Sequence, residues 1–66
     1  MKILLNGQPH QFEGEATVAA LLAMLGLDRK PVVVELDGEA LTQADHPRAA
    51  LTEGARVEVI VLAAGG

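Results

Sequence analysis

The sequence predicts an α+β fold in which a mixed β-sheet carries one main helix packed on one face. Two hairpin signals, Asn6-Gly7 and Asp37-Gly38, follow short apolar runs. Both dipeptides suit two-residue turns, because the central residues of such turns need positive φ. One segment, starting at Thr17, has helical periodicity, and the region before the C-terminal end has valine at positions 57, 59 and 61, the alternation of a strand.

The first half of the chain predicts a hairpin followed by a helix. Lys2–Leu5 is the first strand, and residues 8–12 return beside it. Thr17 suits the helix N-cap, because its hydroxyl can accept a hydrogen bond from an unpaired backbone N–H. Gly26 ends the helix as a left-handed residue, and Leu27 folds back onto the last turn. The apolar face of the helix repeats at i, i+3, i+4 and i+7, with Val18, Leu21, Leu22 and Leu25.

The second half predicts three more strands. Val32–Leu36 is rich in β-branched residues, which pack well on a pleated surface. Glu39–Leu41 is a short returning strand. Residues 42–51 are predicted to be irregular, with one helical turn at residues 47–50. Arg56–Val61 is the final strand.

This order of elements predicts the β-grasp, or ubiquitin-like, arrangement. In it the first and last strands lie side by side and parallel at the centre of the sheet. The helix must cover one face of the sheet, since nothing else can bury its leucines, and the other face stays open. We expect residues 1–61 to form the domain and residues 62–66 to form a flexible C-terminal Gly-Gly tail.

Strand alternation predicts an apolar patch on the open face. The valines at positions 57, 59 and 61 share the face that meets the helix, so Ile60 and Leu62 point outward, beside Leu4 of the first strand. An apolar patch rimmed by charge often marks a partner site. We therefore predict partner docking at Leu4, Ile60 and Leu62. Scattered exposed leucines are also normal on protein surfaces, which leaves a structural reading open.

The composition supplies little for catalysis. The chain has no cysteine, serine, tyrosine or tryptophan, so a Ser/His/Asp or Cys/His nucleophile is impossible. His10 and His46 are far apart and lack metal-ligand spacing, so we expect no metal site. No Gly-rich loop followed by Lys-Ser/Thr can cradle a nucleotide phosphate, so we expect no cofactor bound by this chain. We therefore expect a protein that is not an enzyme.

Charge and hydropathy exclude two kinds of partner. The formal net charge is −4, which argues against nucleic acid, whose phosphates favour a basic face. It suits either a basic partner surface or plain solubility. No segment approaches the roughly 18 apolar residues of a membrane span. Together with the absence of cysteine, this leads us to expect a cytoplasmic protein without membrane partners.

The sequence ends in Leu62-Ala63-Ala64-Gly65-Gly66. Five extended residues reach roughly 16 Å, and glycine can pass a channel that is too narrow for other residues. This pattern favours a C-terminal carboxylate that is presented to another protein's active site. A frayed end is the alternative explanation.

Features along the whole chain carry a family resemblance: the Asn6-Gly7 turn, Thr17-Val18 opening a Leu-Leu helix, Val32–Leu36 with Asp37-Gly38, the run EGARVEVI at residues 53–60, and Ala64-Gly65-Gly66. With these features the sequence resembles the ThiS family, the sulfur carrier proteins of thiamin thiazole synthesis. It departs from the family at Ala55, where an acidic residue is common, and at Ala64, where some relatives have a third glycine. Neither departure touches the terminal glycine pair.

The resemblance implies a sequence of reactions at the C-terminus. A ThiF-like adenylyltransferase would use ATP and magnesium to convert the Gly66 carboxylate to an acyl-adenylate. A persulfide donor would then give a Gly66 thiocarboxylate, whose sulfur a ThiG-like thiazole synthase would take into the thiazole ring. Gly66 is then the modified residue, and Gly65 and Ala64 present it.

Three other functions remain open on the sequence. The chain could carry sulfur for molybdopterin or for tRNA thiolation, with the same fold and tail. It could be a ubiquitin-like modifier joined to lysines of other proteins. It could also be a β-grasp interaction module with an unimportant tail.

Overall fold

The computed structural model describes residues 1–62. Helix α1 comprises Val18–Met24. The strands are β1 (Lys2–Leu5), β2 (Gln8–Gln11), β3 (Val32–Leu36), β4 (Glu39–Leu41) and β5 (Arg56–Val61). The predicted set of elements is confirmed, and β2 ends one residue earlier than expected.

The five strands form one mixed sheet in the order β2-β1-β5-β3-β4. β1 and β5 are parallel and adjacent, while the other neighbouring pairs are antiparallel. The first and last strands therefore lie side by side inside the sheet, as the sequence predicted. The α+β, β-grasp prediction is confirmed.

Both hairpins turn through the predicted dipeptides. Asn6 and Gly7 have φ of 51° and 80°, and Asp37 and Gly38 have φ of 51° and 87°. Positive φ at both central positions is the signature of the turn whose twist matches that of the flanking strands. The local sequence therefore determines both hairpins.

Helix α1 begins and ends as predicted. The Thr17 hydroxyl oxygen accepts a hydrogen bond from Ala20 N–H at 3.1 Å. At the other end Gly26 has φ of +74°, and Leu27 N–H donates to the Leu22 carbonyl at 2.8 Å. This geometry closes the last turn of the helix and directs Leu27 back towards it.

The core lies between α1 and one face of the sheet. Three helix side chains, Val18, Leu21 and Leu22, pack with inward residues of the strands and with Phe12. The remaining buried apolar residues are Ile3, Val34, Leu51, Ala55, Val57 and Val59. One face of the sheet is thus covered by the helix side of the molecule, as predicted.

Val61 is an exception to the predicted inward face of β5. We expected it to face the helix with Val57 and Val59, but its side chain is 49% exposed. Val61 pairs with Val32 at the end of the β3–β5 ladder. The buried core contains Val59 but not Val61. Burial on the inward side of β5 therefore ends at Val59, although alternation predicted that it would extend to Val61.

The connection between β4 and β5 was predicted incorrectly in one detail. We expected a helical turn at residues 47–50, but the short 3₁₀ helix is Gln43–Asp45. The Asp45 carboxylate accepts a hydrogen bond from Thr42 N–H at 2.9 Å, which fixes the turn at this earlier position. Residues 46–48 continue as a turn, in which Ala49 N–H donates to the Asp45 carbonyl at 2.8 Å. Ala50 lies outside this turn and forms an isolated β-bridge with Thr17.

Candidate functional site

The sheet face opposite α1 carries exposed apolar side chains. Leu4 is 37% exposed and Ile60 is 55% exposed. Both residues are accessible to a partner, which agrees with the orientation predicted from alternation. Their role in docking stays a prediction.

The strand register separates these two residues. Leu4 is opposite Arg56 in the β1–β5 ladder, and Arg56 lies four residues before Ile60. Four strand residues span about 13 Å. Leu4 therefore does not lie beside Ile60, contrary to the single patch that alternation suggested.

Val33 is the apolar neighbour of Ile60. The two residues are directly opposite each other in the β3–β5 ladder, and Val33 is also exposed. Directly opposed residues have Cβ atoms about 4.5–5.5 Å apart. We call this pair, Val33 and Ile60, the β3–β5 patch. Val33 was not predicted as part of the site, because the register that joins it to Ile60 depends on residues 27 positions apart.

An acidic pair borders the β3–β5 patch. Glu35 and Glu58 are opposite each other in the same ladder, one pair of outward-facing positions from Val33 and Ile60. Both side chains are exposed. Like charges directly opposite each other on a sheet are destabilising. The pair gives this part of the open face a local negative charge. The packing of the core does not explain this charge, because both side chains are exposed.

Leu62 lies where β5 leads into the C-terminal residues. Its N–H donates to the Pro31 carbonyl at 2.9 Å, so the β3–β5 ladder continues one residue past the predicted domain boundary. The half-exposed Leu62 also borders a cavity of about 230 Å³, together with Leu22, Leu27 and His46. Leu62 thus contacts a cavity that is also lined by helix-side residues, away from Leu4.

The sequence led us to consider His46 only as a metal ligand, and its burial was not predicted. Its side chain is buried, and its Nε2 has no hydrogen-bond partner among residues 1–62. The His46 carbonyl accepts a hydrogen bond from Ala19 N–H at 2.9 Å. It thereby pairs a backbone N–H of the first turn of α1, which has no partner within the helix. No group of three or more histidine or acidic side chains in the described part of the chain is arranged to hold a metal ion.

One carboxyl group in the β4–β5 connection has a perturbed pKa. The hydrogen bond from Thr42 N–H to Asp45 holds the pKa of that carboxyl below its usual range, because the bond favours the charged form. Arg48 and His46 act in the same direction through their charge. Asp45 is partly exposed, and its hydrogen bond supports the 3₁₀ helix.

The residues predicted to present the C-terminus, Ala64, Gly65 and Gly66, lie outside the described residues. The structure thus gives the position from which they continue, at Leu62, next to Pro31. No helix within residues 1–62 has the length and apolar character needed to cross a membrane.

The sequence model of the ThiS family matches residues 3–66. "Sulfur carrier protein ThiS" of Thermus thermophilus is 38% identical over 64 residues, which are 97% of this chain and 98% of that protein. A "Thiazole synthase" of Paramagnetospirillum magneticum is 33% identical over 66 residues. That match covers the whole of this chain but only 20% of the synthase, so the chain spans about a fifth of that relative's length.

The fold is also similar to solved structures. The crystal structure of a thiamine biosynthesis protein (ThiS) from Geobacter metallireducens has a TM-score of 0.82 and 30% sequence identity, and the match covers 100% of both chains. A solution structure of a thiamine biosynthesis protein from the same organism has a TM-score of 0.81, and the match covers 88% of that chain. The similarity therefore includes the whole arrangement of strands and helix.

Proposed function

The chain belongs to the ThiS family, and from this premise we propose that it is a sulfur carrier protein of thiamin biosynthesis. One observation carries the proposal. The family match extends through residue 66, so it includes the terminal Gly65-Gly66 as well as the folded domain. A relative of nearly equal length, named as a sulfur carrier, supports the same function.

The proposed chemistry takes place at the Gly66 carboxylate. A ThiF-like adenylyltransferase, using ATP and magnesium, joins this carboxylate to AMP and releases pyrophosphate. A persulfide of the donor protein attacks the acyl carbon, and AMP leaves, which gives an acyl disulfide and a proton. A thiol of the donor system then cleaves the S–S bond, so that a disulfide and the Gly66 thiocarboxylate remain.

The chain itself contributes a folded domain that presents the C-terminus, and not catalytic groups. It has no cysteine or serine to act as a nucleophile. Its part is to hold β5 inside the sheet, between β1 and β3, so that the residues after Leu62 continue from a fixed strand. We propose that Ala64 and Gly65 then pass through a narrow channel of the partner enzyme, because they have little or no side chain.

The open face supports docking of a partner with a mixed apolar and basic surface. The β3–β5 patch presents two exposed aliphatic side chains, and the acidic pair beside it is favourable for a basic group of the partner. The net charge of −4 acts in the same direction at longer range. In this proposal Ile60 and Val33 contact the adenylyltransferase, Leu62 lies at the edge of the interface, and Leu4 is more distant.

We further propose that the sulfur acceptor reaction is carried out by a ThiG-like thiazole synthase. Two thiazole synthases, of Paramagnetospirillum magneticum and Magnetococcus marinus, match the whole of this chain over a fifth of their own length. A segment similar to this chain is therefore part of the same polypeptide as those synthases. Adenylation of Gly66 requires ATP, and the later cleavage of the S–S bond requires a thiol. Both requirements fit a cytoplasmic location.

Complementation tests the proposed pathway. The gene is expressed in a bacterial strain that lacks its own thiamin sulfur carrier and has intact molybdopterin and tRNA thiolation systems. We expect growth without added thiazole, and no growth with a variant that lacks Gly66. If the chain instead restores only a molybdopterin-deficient or a tRNA-thiolation-deficient strain, the thiamin assignment is wrong.

A further inference from the structure

The backbone of β5 has two hydrogen-bonding sides, and only one is paired along its full length. Asp37 N–H donates to the Arg56 carbonyl, and Leu62 N–H donates to the Pro31 carbonyl. These two bonds begin and end the ladder with β3. Because hydrogen-bonding direction alternates along a strand, the even-numbered residues of β5 face β3. The backbone N–H and carbonyl groups of the odd-numbered residues, Val57, Val59 and Val61, therefore point towards β1.

β1 covers only the first part of this second side. Leu4 N–H donates to the Ala55 carbonyl, and Asn6 N–H donates to the Val57 carbonyl, both at 2.8 Å. The chain then turns away at Gly7 into β2. The Asn6 side-chain oxygen accepts the next donor, Val59 N–H, at 2.8 Å.

Three backbone groups of β5 remain beyond this point. The carbonyl of Val59 and both the N–H and the carbonyl of Val61 have no hydrogen-bond partner among residues 1–62. The Ile60 and Val61 side chains are about half exposed. Open edges of this kind are usually blunted by proline, lysine or a bulge, and β5 has none of these devices between Val57 and Leu62.

We propose that this open stretch of β5, the Val59–Val61 edge, pairs with an extended segment of the enzyme that acts on the C-terminus. The added strand would lie in line with β1, beyond the Asn6-Gly7 turn. Alternating unpaired N–H and carbonyl groups at strand spacing are complementary to another extended backbone, and strand addition at such an edge is a common mode of recognition. This inference rests on the proposed function, because it takes the adenylyltransferase as the partner.

The position of the edge supports an enzyme rather than an unrelated ligand. Val61 lies five residues before Gly66, the proposed site of adenylation, and five residues extend at most about 18 Å. Main-chain pairing at Val61 would therefore fix the register of the remaining residues relative to the enzyme. On the opposite side of β5, the bond from Leu62 N–H to the Pro31 carbonyl continues the pairing with β3 to the end of the strand.

Replacing Val61 with proline tests the edge selectively. Val61→Pro removes an N–H that faces away from β3, so the β3–β5 ladder is kept, while the ring blocks the open side. Proline is tolerated where the strand N–H faces outward. Val61→Ala is the matched control, because it trims the side chain and keeps the N–H. Circular dichroism and thermal unfolding verify that both variants are folded.

The readout is kcat/KM for adenylation by the ThiF-like adenylyltransferase. We expect Val61→Pro to lower it at least about tenfold, the effect of losing a central interface contact, and Val61→Ala to change it less than about threefold. Equal rates for the two variants would overturn the edge pairing while leaving the carrier function intact. A wild-type chain that is never adenylated would instead reject the proposed function itself.

Hydrogen exchange gives a measurement that needs no variant. The Val61 amide is expected to exchange rapidly in the free chain and at least about tenfold more slowly in the complex with the adenylyltransferase. The Val59 amide, which is already bonded to Asn6, serves as the internal control. An unchanged Val61 exchange rate in the saturated complex would contradict the proposal.

Discussion

The side-chain oxygen of Asn6 accepts a hydrogen bond from Val59 N–H at 2.8 Å, although the two residues are 53 positions apart. Asn6 thereby has two roles. It adopts the positive φ of 51° that the β1–β2 turn requires, and its side chain joins that turn to the central strand β5. The residue that turns the chain away from β5 also satisfies the first N–H that β1 leaves unpaired.

Substitutions at Asn6 separate these two roles. Asn6→Gly keeps the turn conformation and removes the acceptor, so we expect a loss of about 0.5–1.5 kcal/mol in the free energy of unfolding. Asn6→Asp keeps the acceptor and should stay closer to the wild type. Urea denaturation of the three proteins measures the difference. Equal stability of the glycine and aspartate variants would mean that the bond to Val59 contributes nothing.

Neighbouring residues of β1 should differ in their contribution to stability. Ile3 is completely buried in the core, while Leu4 faces outward and is partly exposed. Ile3→Ala should lower the free energy of unfolding by about 2–5 kcal/mol, because it removes buried methyl groups and leaves a cavity. Leu4→Ala should lower it by less than about 1 kcal/mol. Similar losses from both substitutions would contradict the assigned faces of β1.

The separation of Leu4 from the β3–β5 patch predicts unequal effects on adenylation. Ile60→Asp introduces a charge beside Val33 and the acidic pair, and should lower kcat/KM at least about tenfold. Leu4→Asp is the matched control on the same face, about 13 Å away. We expect it to change kcat/KM less than about threefold. Both positions are exposed, so thermal unfolding should show that each variant remains folded.

A result in which Leu4→Asp impairs adenylation as strongly as Ile60→Asp would show that the interface covers both ends of the open face. The single patch first expected from strand alternation would then be correct in extent. The adenylation assay with purified partner and each folded variant distinguishes the two cases.

The Thr42–Asp45 contact predicts a pH dependence of the 3₁₀ helix. The pKa of Asp45 is lowered in the folded chain, chiefly by the hydrogen bond from Thr42 N–H. A depressed carboxyl pKa means that the stabilisation is complete above the unfolded-state pKa and is lost as pH falls through the folded-state pKa. The Thr42 amide chemical shift should therefore titrate with a midpoint below the ordinary aspartate pKa. Asp45→Asn should abolish this titration.

The elements that sequence analysis predicted correctly depend on local signals. Thr17 and Gly26 determine the ends of α1, and each acts through bonds to residues within a few positions of itself. The two hairpins likewise depend on dipeptides with positive φ. Local chemistry of this kind can be read without knowing the partner strands.

The candidate site depends on contacts between residues that are far apart in the sequence. The sequence predicted the neighbours of its residues less accurately than it predicted the strands and the helix. Alternation gave the correct outward direction of Ile60, but it could not give the register that places Val33 beside it and Leu4 farther away. Register is set by the pairing of complete strands. The turn predicted at residues 47–50 likewise fails at its last residue through a distant contact, because Ala50 forms a bridge with Thr17, which is 33 positions earlier.

The most direct test of the central claim is the intact mass of the protein after incubation with ATP, magnesium and a ThiF-like adenylyltransferase, followed by a persulfide donor and a thiol. A chain without Gly66 is the matched control. We predict a mass increase of one adenylyl group, then its replacement by an increase that equals the exchange of one oxygen for sulfur, with neither change in the control. An unchanged mass with an adenylyltransferase that is active on its own substrate would contradict the carrier function.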